Sequence, residues 1–389
     1  MSQHAKTRLN VLFLASWFPN KGIPTLGNFI LRHAQAVNEF HNVHVLYVCK
    51  SSDNSSTFVF DESNTENIKT LVVYYPQSMW PLFGKIAGFY KGLRKLTDEK
   101  KLQFDIIHAN VLWKDGWMAA TASRKLRIPF VLTEHWTGYH EAQRGKLKGW
   151  QKRYLIRMAK KASVIMPVSK DLATAMQSFG IKNKYTVIPN VVNTDIFHFT
   201  EKHQKPYQFL HISTLNDEHK NISGILKTWK KAYEKRQDIH LKIGGDGPVE
   251  EWRQFAHSIG IYDDSITFFG EKKWEEIALL MNESHCLIQF SNYENLPCVI
   301  VESLSSGNYV ISTNVGGIPE YINSSNGILI AKQDEQALLS AILEMPEKSI
   351  LMDRKKLSED AKSIFSMKQI GRQISDVYLS VLKESIQVK

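Results

Sequence analysis

The chain has 389 residues, 43% of them hydrophobic and 23% charged, which suits two globular domains and excludes an intrinsically disordered chain. No stretch reaches the roughly 18 consecutive apolar residues that a membrane-spanning helix needs. The three cysteines, Cys49, Cys286 and Cys298, lie far apart without a C-x-x-C pair, which predicts free thiols in a reducing compartment. The apolar run at residues 11–18 is too short for a signal peptide and favours a first strand, so we expect a cytoplasmic protein.

In chain order, the amino half alternates apolar, strand-like runs with amphipathic helical patterns. The strand-like runs are residues 9–17, 42–49, 70–76, 105–110, 129–135, 163–169 and 186–190. The helical patterns are residues 29–40, 82–100, 116–127, 150–161 and 170–180. Strands that are apolar on both faces and alternate with helices form parallel sheets with right-handed crossovers. This half therefore predicts a doubly wound α/β domain.

A polar linker, residues 193–205, precedes a second series of the same kind. Its strand-like runs are residues 208–213, 239–245, 265–270, 285–291, 309–314 and 327–331. Its helical patterns are residues 222–235, 248–259, 274–282, 297–306 and 335–343, followed by a terminal helix at 367–382. The sequence thus predicts two doubly wound α/β units, whose ligands bind at the carboxyl ends of the strands.

The net charge of +10 is concentrated in the first 200 residues, which hold 27 lysines and arginines against 13 acidic residues. Two basic clusters, residues 91–95 and 144–153, are mixed with leucine, tryptophan and tyrosine. This pattern predicts contact with an anionic membrane surface, or with a lipid diphosphate acceptor on one; a solvated helix face is the alternative. No DNA-binding or RNA-binding module accompanies the charge, which argues against nucleic acid as a partner.

Residues 291–302, SNYENLPCVIVE, carry the strongest chemical signal. Glu294 follows a predicted strand, and Glu302 lies inside the next predicted helix. Pro297 suits the first helical turn, and the backbone N–H groups near residues 295–298 would then face an anion such as a phosphate. The oxygens of Glu302 can accept hydrogen bonds from a diol. Two exposed surface glutamates are the alternative interpretation.

A strand and the glycine pair Gly316-Gly317 follow this helix, and residues 291–320 as a whole resemble the donor-site signature of the family 4 retaining glycosyltransferases. Further matches to this family, in order along nearly the whole chain, are residues 15–19, 24–29, 105–110, 133–136, 167–169, 188–197 and 244–248. The resemblance implies the GT-B fold, in which two Rossmann-like domains face each other across a cleft. The implied domains are residues 1–195 for the acceptor and 206–366 for the nucleotide-sugar, with a helix at about 367–389 packing back onto the first.

The resemblance also implies roles for individual residues of the carboxyl half. Glu294 matches the glutamate that contacts the donor hexose, and Glu302 matches the one that holds the ribose hydroxyls. The peptide groups of Asn295, Leu296 and Pro297 match the turn that runs along the sugar and the diphosphate.

Three other positions complete the implied site. Lys220 matches the lysine that neutralises the diphosphate, Gly27 a first-loop glycine that lets the phosphates approach, and His135 a histidine beside the transferred sugar. The resemblance thus makes His135, Glu294 and Lys220 the catalytic candidates. Retention without an evident nucleophile implies that the leaving phosphate takes the acceptor's proton. Glu294 as a covalent nucleophile is the alternative.

The sequence departs from the family at Thr214. The family usually places an arginine six residues before the lysine, whereas a threonine hydroxyl supplies one hydrogen bond and no charge. We therefore expect that Lys272 or a metal ion assists Lys220, or that donor turnover is slow.

A set of residues that bind the acceptor is predicted near the ends of the strands of the amino half. His108, Trp136 and Tyr139 are its candidates, although His108 is equally suited to supporting the wall of the cleft, and aromatic residues at such spacing are often core. A satisfied structural histidine is likewise the alternative for His135. No His, Cys or Asp cluster has metal-ligand spacing, and the resemblance implies neither a metal nor a cofactor besides the donor.

Together these features predict a retaining glycosyltransferase that moves a hexose from a nucleotide-sugar to a glycan or lipid-linked acceptor in bacterial surface polysaccharide synthesis. We expect it in the cytoplasm, peripheral on the inner face of the membrane. The alternatives are a nucleotide-sugar epimerase or glycan phosphorylase of the same architecture, and a non-catalytic binding protein, which Thr214 favours. The sequence does not specify the nucleotide base, the sugar, the acceptor or the linkage. It also does not specify the oligomeric state.

Overall fold

The computed structural model describes residues 8–65, 68–113, 115–145, 147–201, 206–262 and 264–387. The chain forms two compact units, Met1–Val191 with Met367–Lys389, and Val192–Ser366. Lys146 of the second basic cluster, residues 202–205 of the predicted linker and residues 388–389 of the predicted last helix lie outside the described residues. Both units are α/β, in agreement with the predicted fold class.

The first unit contains a seven-stranded sheet in the order β3-β4-β2-β1-β5-β6-β7. The strands are β1 Asn10–Ala15, β2 Asn42–Lys50, β3 Val59–Thr65, β4 Ile68–Tyr75, β5 Ile106–Asn110, β6 Phe130–Glu134 and β7 Ile165–Pro167. All pairs are parallel except β3 with β4. Strands β1, β5, β6 and β7 are buried almost throughout, as expected for a parallel sheet covered on both faces.

Within the described residues, six α-helices of this unit lie between its strands or directly after β7. They are α1 Asn28–Asn38, α2 Pro81–Arg94, α3 Gly116–Leu126, α4 Glu141–Arg144, α5 Gly149–Ala159 and α6 Lys170–Ser178. A π-helical turn, Lys95–Glu99, continues α2. The start of α6 shows how the sequence sets a helix boundary, because the Ser169 hydroxyl accepts a hydrogen bond from Leu172 N.

The second unit contains a six-stranded parallel sheet in the order β10-β9-β8-β11-β12-β13. Its strands are β8 Tyr207–Ile212, β9 Ile239–Gly244, β10 Ile266–Phe269, β11 Cys286–Gln289, β12 Tyr309–Thr313 and β13 Gly327–Ile330. Its helices are α7 Asp217–Lys220, α8 Ile222–Lys235, α9 Val249–Ser258, α10 Trp274–Glu283, α11 Cys298–Ser305, α12 Glu335–Ile350 and α13 Arg354–Phe365. In both sheets the strand order reverses beside the first strand, as in doubly wound folds.

The last helix, α14 Met367–Gln387, belongs to the first unit and packs along α1. Their backbones approach closely at Gly371, where an added Cβ would lie 2.1 Å from the carbonyl oxygen of Ala36. Ser375 Oγ on α14 lies 2.9 Å from His41 Nε2 at the end of the turn after α1. The terminal helix is thus anchored by both close packing and hydrogen bonding.

Some local predictions were wrong or incomplete. Residues 186–190 form no strand. Next to them Tyr185 makes an isolated bridge with Ile165, and Pro189 has no N–H to donate to a sheet. Strand β3, VFDESNT, was not predicted because its polar composition suits an antiparallel edge strand rather than a buried one. Helix α13 was also missed, and α12 continues through Pro346 to Ile350. Among the described helices, none combines the length and apolarity needed to cross a membrane.

The contact at Gly371 yields a stability prediction. We expect Gly371→Ala to lower the free energy of unfolding of the first unit by about 1–3 kcal/mol, because the new methyl group overlaps the backbone of α1. Urea denaturation followed by circular dichroism measures this. The matched control is Gly149→Ala at the start of α5, where an added Cβ meets nothing within 4 Å. Equal stability of the two variants would contradict the close packing of α14 against α1.

Candidate functional site

The second unit brings Lys220 and Glu294 together where its strand order reverses. Lys220 ends α7, in the connection that follows β8, and Glu294 lies in the loop after β11. Strands β8 and β11 are adjacent, but their connections lead to opposite sides of the sheet. Ligands of doubly wound sheets bind in the crevice that opens at such a point.

The Lys220 ammonium forms an ion pair with Oε1 of Glu294, and the Ser291 hydroxyl donates to the same oxygen over 2.8 Å. The two charged side chains are only 16% and 12% exposed. A second contact joins the same loops, because Asn292 N donates to the carbonyl oxygen of His219 over 2.8 Å. Removing either charged partner would leave a largely buried charge without its counter-ion.

The loop after β12 supports Glu294 from behind. Gly316 has φ +58°, and an added Cβ would lie 2.0 Å from the carbonyl oxygen of Glu294. Gly317 N donates to the carbonyl oxygen of Asn295 over 2.7 Å. Gly316 is therefore required by its left-handed backbone and by its close approach to the loop that carries Glu294.

Helix α11 begins beside this loop. Pro297 occupies the N-cap position with ψ 130° rather than the first helical turn that the sequence predicted, and the helix begins at Cys298. Asn295 and Leu296 are 7% and 3% exposed, so this turn offers mainly its backbone. Glu302 lies within the helix and is 3% exposed. The positive end of the α11 dipole favours an anion next to the turn.

The structure places Thr214 and Lys272 after β8 and β10, at the same edge of the sheet. Thr214 is exposed, and its carbonyl oxygen would lie 2.3 Å from a Cβ added at Gly247. Lys272 Nζ donates to Glu276 Oε1 over 2.9 Å. The sequence suggested that Lys272 would add a positive charge beside Lys220. The ion pair with Glu276 offsets that charge. Within the described residues, no group of three or more His, Cys, Asp or Glu is arranged to hold a metal ion.

The first unit has its own reversal point, between β1 and β5. The loop after β1 is held there because Ser16 N donates to Asn110 O over 3.3 Å and Ser16 Oγ to Val111 O over 2.8 Å. The loop ends at Gly27, which has φ +68° and precedes α1. A Cβ at Gly27 would lie 2.5 Å from the carbonyl oxygen of Trp17, so only glycine fits.

Glu134, at the end of β6, is fully buried and organises the neighbouring loops. Its Oε2 accepts hydrogen bonds from Leu112 N over 3.0 Å and from the Tyr139 hydroxyl over 2.9 Å. Its Oε1 accepts from the backbone N–H groups of His135 and Trp136, over 2.9 and 3.0 Å. Burial raises the pKa of Glu134, and these four hydrogen bonds oppose the rise by stabilising the carboxylate.

His135 lies among aromatic rings. Its ring centroid is 4.4 Å from that of Phe29 and 5.2 Å from that of His33. Burial lowers the pKa of His135 well below its usual value, and a hydrogen bond from the imidazole to the Asn190 side chain partly opposes this effect. Burial likewise lowers the pKa of His33 to about 4. Near neutral pH both imidazoles are therefore uncharged, and His135 can exchange hydrogen bonds but supplies no positive charge.

His108 has the surroundings of a structural residue. It is fully buried, with Nδ1 2.6 Å from the Tyr378 hydroxyl of α14 and Nε2 2.6 Å from Thr133 Oγ1. Both ring nitrogens are thus used within the first unit. The geometry favours the supporting role of His108 over contact with an acceptor.

Tyr139 is also fully buried, and its hydroxyl donates to Glu134. The sequence suggested that Tyr139 stacks on an acceptor sugar. Its ring has no exposed face for such stacking, so this prediction was wrong. Trp136 is only partly buried, and its ring stacks on that of Trp113 with centroids 4.6 Å apart and an interplanar angle of 13°. Of the three predicted acceptor residues, Trp136 alone retains accessible surface.

Sequence reasoning missed Glu134, His33 and Ser291 as parts of these sites. Glu134 had a detectable signal, since a carboxylate that ends an apolar strand must find partners or be exposed. Ser291 and His33 gave no signal of this kind in the sequence. Their importance lies in side-chain contacts that the fold creates, with Glu294 and His135 respectively.

Two family models match consecutive parts of the chain that overlap at residues 192–196. The Glycosyltransferase Family 4 model covers residues 26–196, and the Glycosyl transferases group 1 model covers residues 192–364. The chain belongs to the family 4, group 1 glycosyltransferases. This glycosyltransferase is 29% identical to an uncharacterized glycosyltransferase of Methanocaldococcus jannaschii over 70% of its own length and 75% of the relative's. It is 22% identical to glycogen synthase of Mycobacterium tuberculosis, over 95% and 94% of the two chains.

Solved structures establish the GT-B fold. The sucrose-phosphate synthase of Thermosynechococcus elongatus superposes with a TM-score of 0.76 at 17% identity, over 97% of this chain and all of that one. The Anabaena protein HepE, solved with UDP-glucose, superposes with a TM-score of 0.72 at 18% identity, over 96% and 100% of the two chains. At such identities the likeness concerns the fold alone.

The buried histidines of the glycosyltransferase predict a pH dependence of stability. The pKa of His33 is about 4 when folded and about 6.5 when unfolded, so between these values the unfolded chain binds more protons. The neutral His33 side chain therefore makes its full contribution to folding stability above about pH 6.5. This contribution is lost as the pH falls towards 4. We expect His33 to account for about 2 kcal/mol of the loss between pH 7 and pH 5.

Urea midpoints of the first unit at pH 7 and pH 5 measure this dependence. His33→Gln should reduce it, because the glutamine side chain binds no proton in this pH range. An unchanged dependence in His33→Gln would contradict the assignment.

The glycine pair after β12 yields a separate prediction. We expect Gly316→Ala to destabilise the second unit by about 1–3 kcal/mol, because the methyl group overlaps the Glu294 carbonyl and φ is positive. Gly270→Ala, in the loop after β10, is the control, since an added Cβ there meets nothing within 4 Å. Denaturant midpoints of both variants measure this effect. A Gly316→Ala variant as stable as the control would contradict the close packing of the loop after β12 against the Glu294 backbone.

Proposed function

We propose that this glycosyltransferase moves a hexose from a nucleoside-diphosphate sugar to a glycan or lipid-linked acceptor and retains the anomeric configuration. The observation that carries the proposal is the Lys220–Glu294 ion pair at the reversal point of the second unit. It places a cation for a diphosphate and a carboxylate for sugar hydroxyls beside one helix N-terminus. The fold shared with HepE, which was solved with UDP-glucose, supports a nucleotide-sugar as the donor.

Each part of the donor has a proposed partner in the second unit. The diphosphate binds the Lys220 ammonium and the backbone at the start of α11, where charge and dipole both favour an anion. Glu294, held by Ser291, accepts hydrogen bonds from the hexose hydroxyls. Glu302, within α11, accepts hydrogen bonds from the ribose hydroxyls. Lys220 supplies the cation, so the proposal needs no resident metal or cofactor.

In the proposed reaction, the bond between C1 of the hexose and the diphosphate oxygen breaks while a bond from the acceptor oxygen forms on the same face of the sugar. The departing diphosphate takes the proton of the acceptor hydroxyl, which balances the exchange. Negative charge grows on the leaving oxygens during this step, and Lys220 with the α11 dipole stabilises it. The absence of an arginine at Thr214 leaves Lys220 as the main charged contributor and predicts slow turnover.

The first unit would bind the acceptor. His135 is proposed to hydrogen-bond the transferred hexose as a neutral imidazole, oriented by the carboxylate of Glu134 through its backbone. Trp136 offers an aromatic surface for an acceptor sugar. The excess of basic residues in the first 200 residues supports an acceptor carried by an anionic membrane, with the protein peripheral on its cytoplasmic face, and a role in surface polysaccharide synthesis.

A thermal-shift screen against UDP, GDP, ADP and their hexose conjugates tests the donor site. A ligand at 100 times its Kd stabilises the folded state by about 2.7 kcal/mol, so one nucleotide family should raise the Tm by about 5–10 °C. Glu302→Ala should abolish most of this shift, and Glu302→Gln serves if the alanine variant does not fold. Glu344→Ala, exposed on α12, is the matched control.

Absence of a shift with every nucleotide, or an equal shift in Glu302→Ala, would reject the proposed donor site. The donor identified in this way then tests retention, because the proton NMR coupling constant at C1 reports the configuration of the transferred hexose. An inverted product would reject the proposed mechanism.

A further inference from the structure

Three large apolar side chains project into solvent at the start of α2. Trp80, Leu82 and Phe83, which we call the apolar tip, are 78%, 62% and 65% exposed. Single exposed hydrophobic residues are ordinary on protein surfaces, but three within four positions form a contiguous patch. Trp80 directly precedes the helix, and Leu82 and Phe83 lie in its first turn.

The packing of α2 prevents this tip from turning inward. Gly84, Gly88 and Gly92 recur every fourth residue and face the sheet. A Cβ added at these positions would lie 2.3, 2.6 and 2.6 Å from the side chains of Tyr75, Val48 and Leu46, respectively. Because the glycine face must meet the sheet, the opposite face of the helix, including Phe83, is held outward.

Basic residues follow the apolar tip along the same helix. Lys91 and Arg94 are exposed near its carboxyl end, and Lys91 Nζ lies 5.2 Å from the centre of the Phe58 ring. At 1.5 Å per residue these charges begin about 12 Å from Phe83 along the helix axis. An apolar end beside a cationic segment is typical of a surface that enters the headgroup region of an anionic bilayer.

A second exposed tryptophan lies on the same side of the first unit. Trp150 is 64% exposed at the start of α5, beside the exposed Lys152 and Arg153. Helix α3 lies between α2 and α5, because Trp117 contacts Phe89 on α2 with ring centroids 5.2 Å apart and donates its backbone N–H to the Tyr154 hydroxyl on α5. With helix spacings of 8–10 Å, Trp150 and the apolar tip start about 20 Å apart.

We propose that the apolar tip and Trp150 form a docking surface for an anionic lipid bilayer. The apolar side chains enter the interfacial region, where tryptophan is favoured, while the neighbouring lysines and arginines contact lipid phosphates. Two apolar anchors separated by about 20 Å and each flanked by cations match a flat, negatively charged surface better than a single protein groove.

This surface lies at the edge of the sheet where the acceptor is proposed to bind, so its functional meaning rests on the proposed function. Helix α2 follows the carboxyl end of β4, and the loop after β1 contacts that end because Lys21 N donates to the Tyr74 hydroxyl over 3.0 Å. Ile23 of the same loop is 53% exposed. A lipid-carried acceptor in the docked bilayer would thus be presented next to the loop that ends at Gly27.

Vesicle sedimentation tests this surface. One set of vesicles contains phosphatidylcholine alone, and the other also contains about 30% of the anionic lipid phosphatidylglycerol. We expect the wild-type protein to bind the anionic vesicles at least 10-fold more tightly, by about 1 kcal/mol for each basic residue at the surface. The triple variant Trp80→Ser, Leu82→Ser, Phe83→Ser should bind at least 10-fold more weakly. Lys91→Gln with Arg94→Gln should lose about 25-fold, or about fivefold for each charge.

The control variant is Ile350→Ser with Leu351→Ser, which removes two side chains of the second unit that are 81% and 89% exposed. It should bind vesicles like the wild type. Equal binding to neutral and anionic vesicles, or wild-type binding by the triple variant, would overturn the proposal. A concentration-dependent dimer that the triple variant abolishes would also overturn it, because a second copy would then cover the tip. The nucleotide thermal shift of the triple variant separates this result from failure of the donor site.

Discussion

The reversal of strand order beside the first strand of each sheet is the constraint on which both candidate sites depend. Strands β8 and β11 are neighbours whose connections diverge, and so are β1 and β5. Backbone hydrogen bonding within the sheet cannot fill the space between diverging loops, so side chains and ligands must fill it. In the second unit Lys220 and Glu294 meet there, and in the first the loops of Ser16 and Val111 meet.

The two units stabilise buried carboxylates at this edge in different ways. Glu294 is neutralised by the Lys220 ammonium and receives the Ser291 hydroxyl on the same oxygen. Glu134 receives four hydrogen bonds from three backbone N–H groups and the Tyr139 hydroxyl, and burial raises its pKa. The first arrangement presents a charged pair suited to a phosphate-bearing ligand. The second fixes the backbone around His135 through these hydrogen bonds.

Glycine is used repeatedly where backbone or sheet must be approached closely. Gly27 and Gly316 also adopt positive φ in the loops of the two candidate sites, whereas Gly371 allows α14 to lie against α1. The three glycines of α2 bring that helix onto the sheet and set its rotation, which decides which of its side chains face solvent. A surface property of the protein, the exposed apolar tip, thus follows from packing on the opposite side of the helix.

The sequence determined the fold class and most of the elements, because buried parallel strands are apolar throughout and amphipathic helices keep a period of 3.6 residues. It did not reveal β3, whose polar residues suit an edge, or α13. It also singled out Lys220 and Glu294 separately, through motif resemblance. Their ion pair, formed across 74 positions of sequence, was decided only by the adjacency of β8 and β11.

The same division applies to the first unit. The sequence indicated His135, but only the tertiary structure showed that Glu134 orients the loop and that burial keeps His135 neutral. Tertiary packing also turned His108 and Tyr139 into core residues, since each reaches partners across the fold. Residue type and periodicity are local and can be read along the chain. Burial, pairing and protonation depend on which distant segments the fold brings together, and only the tertiary structure decides that.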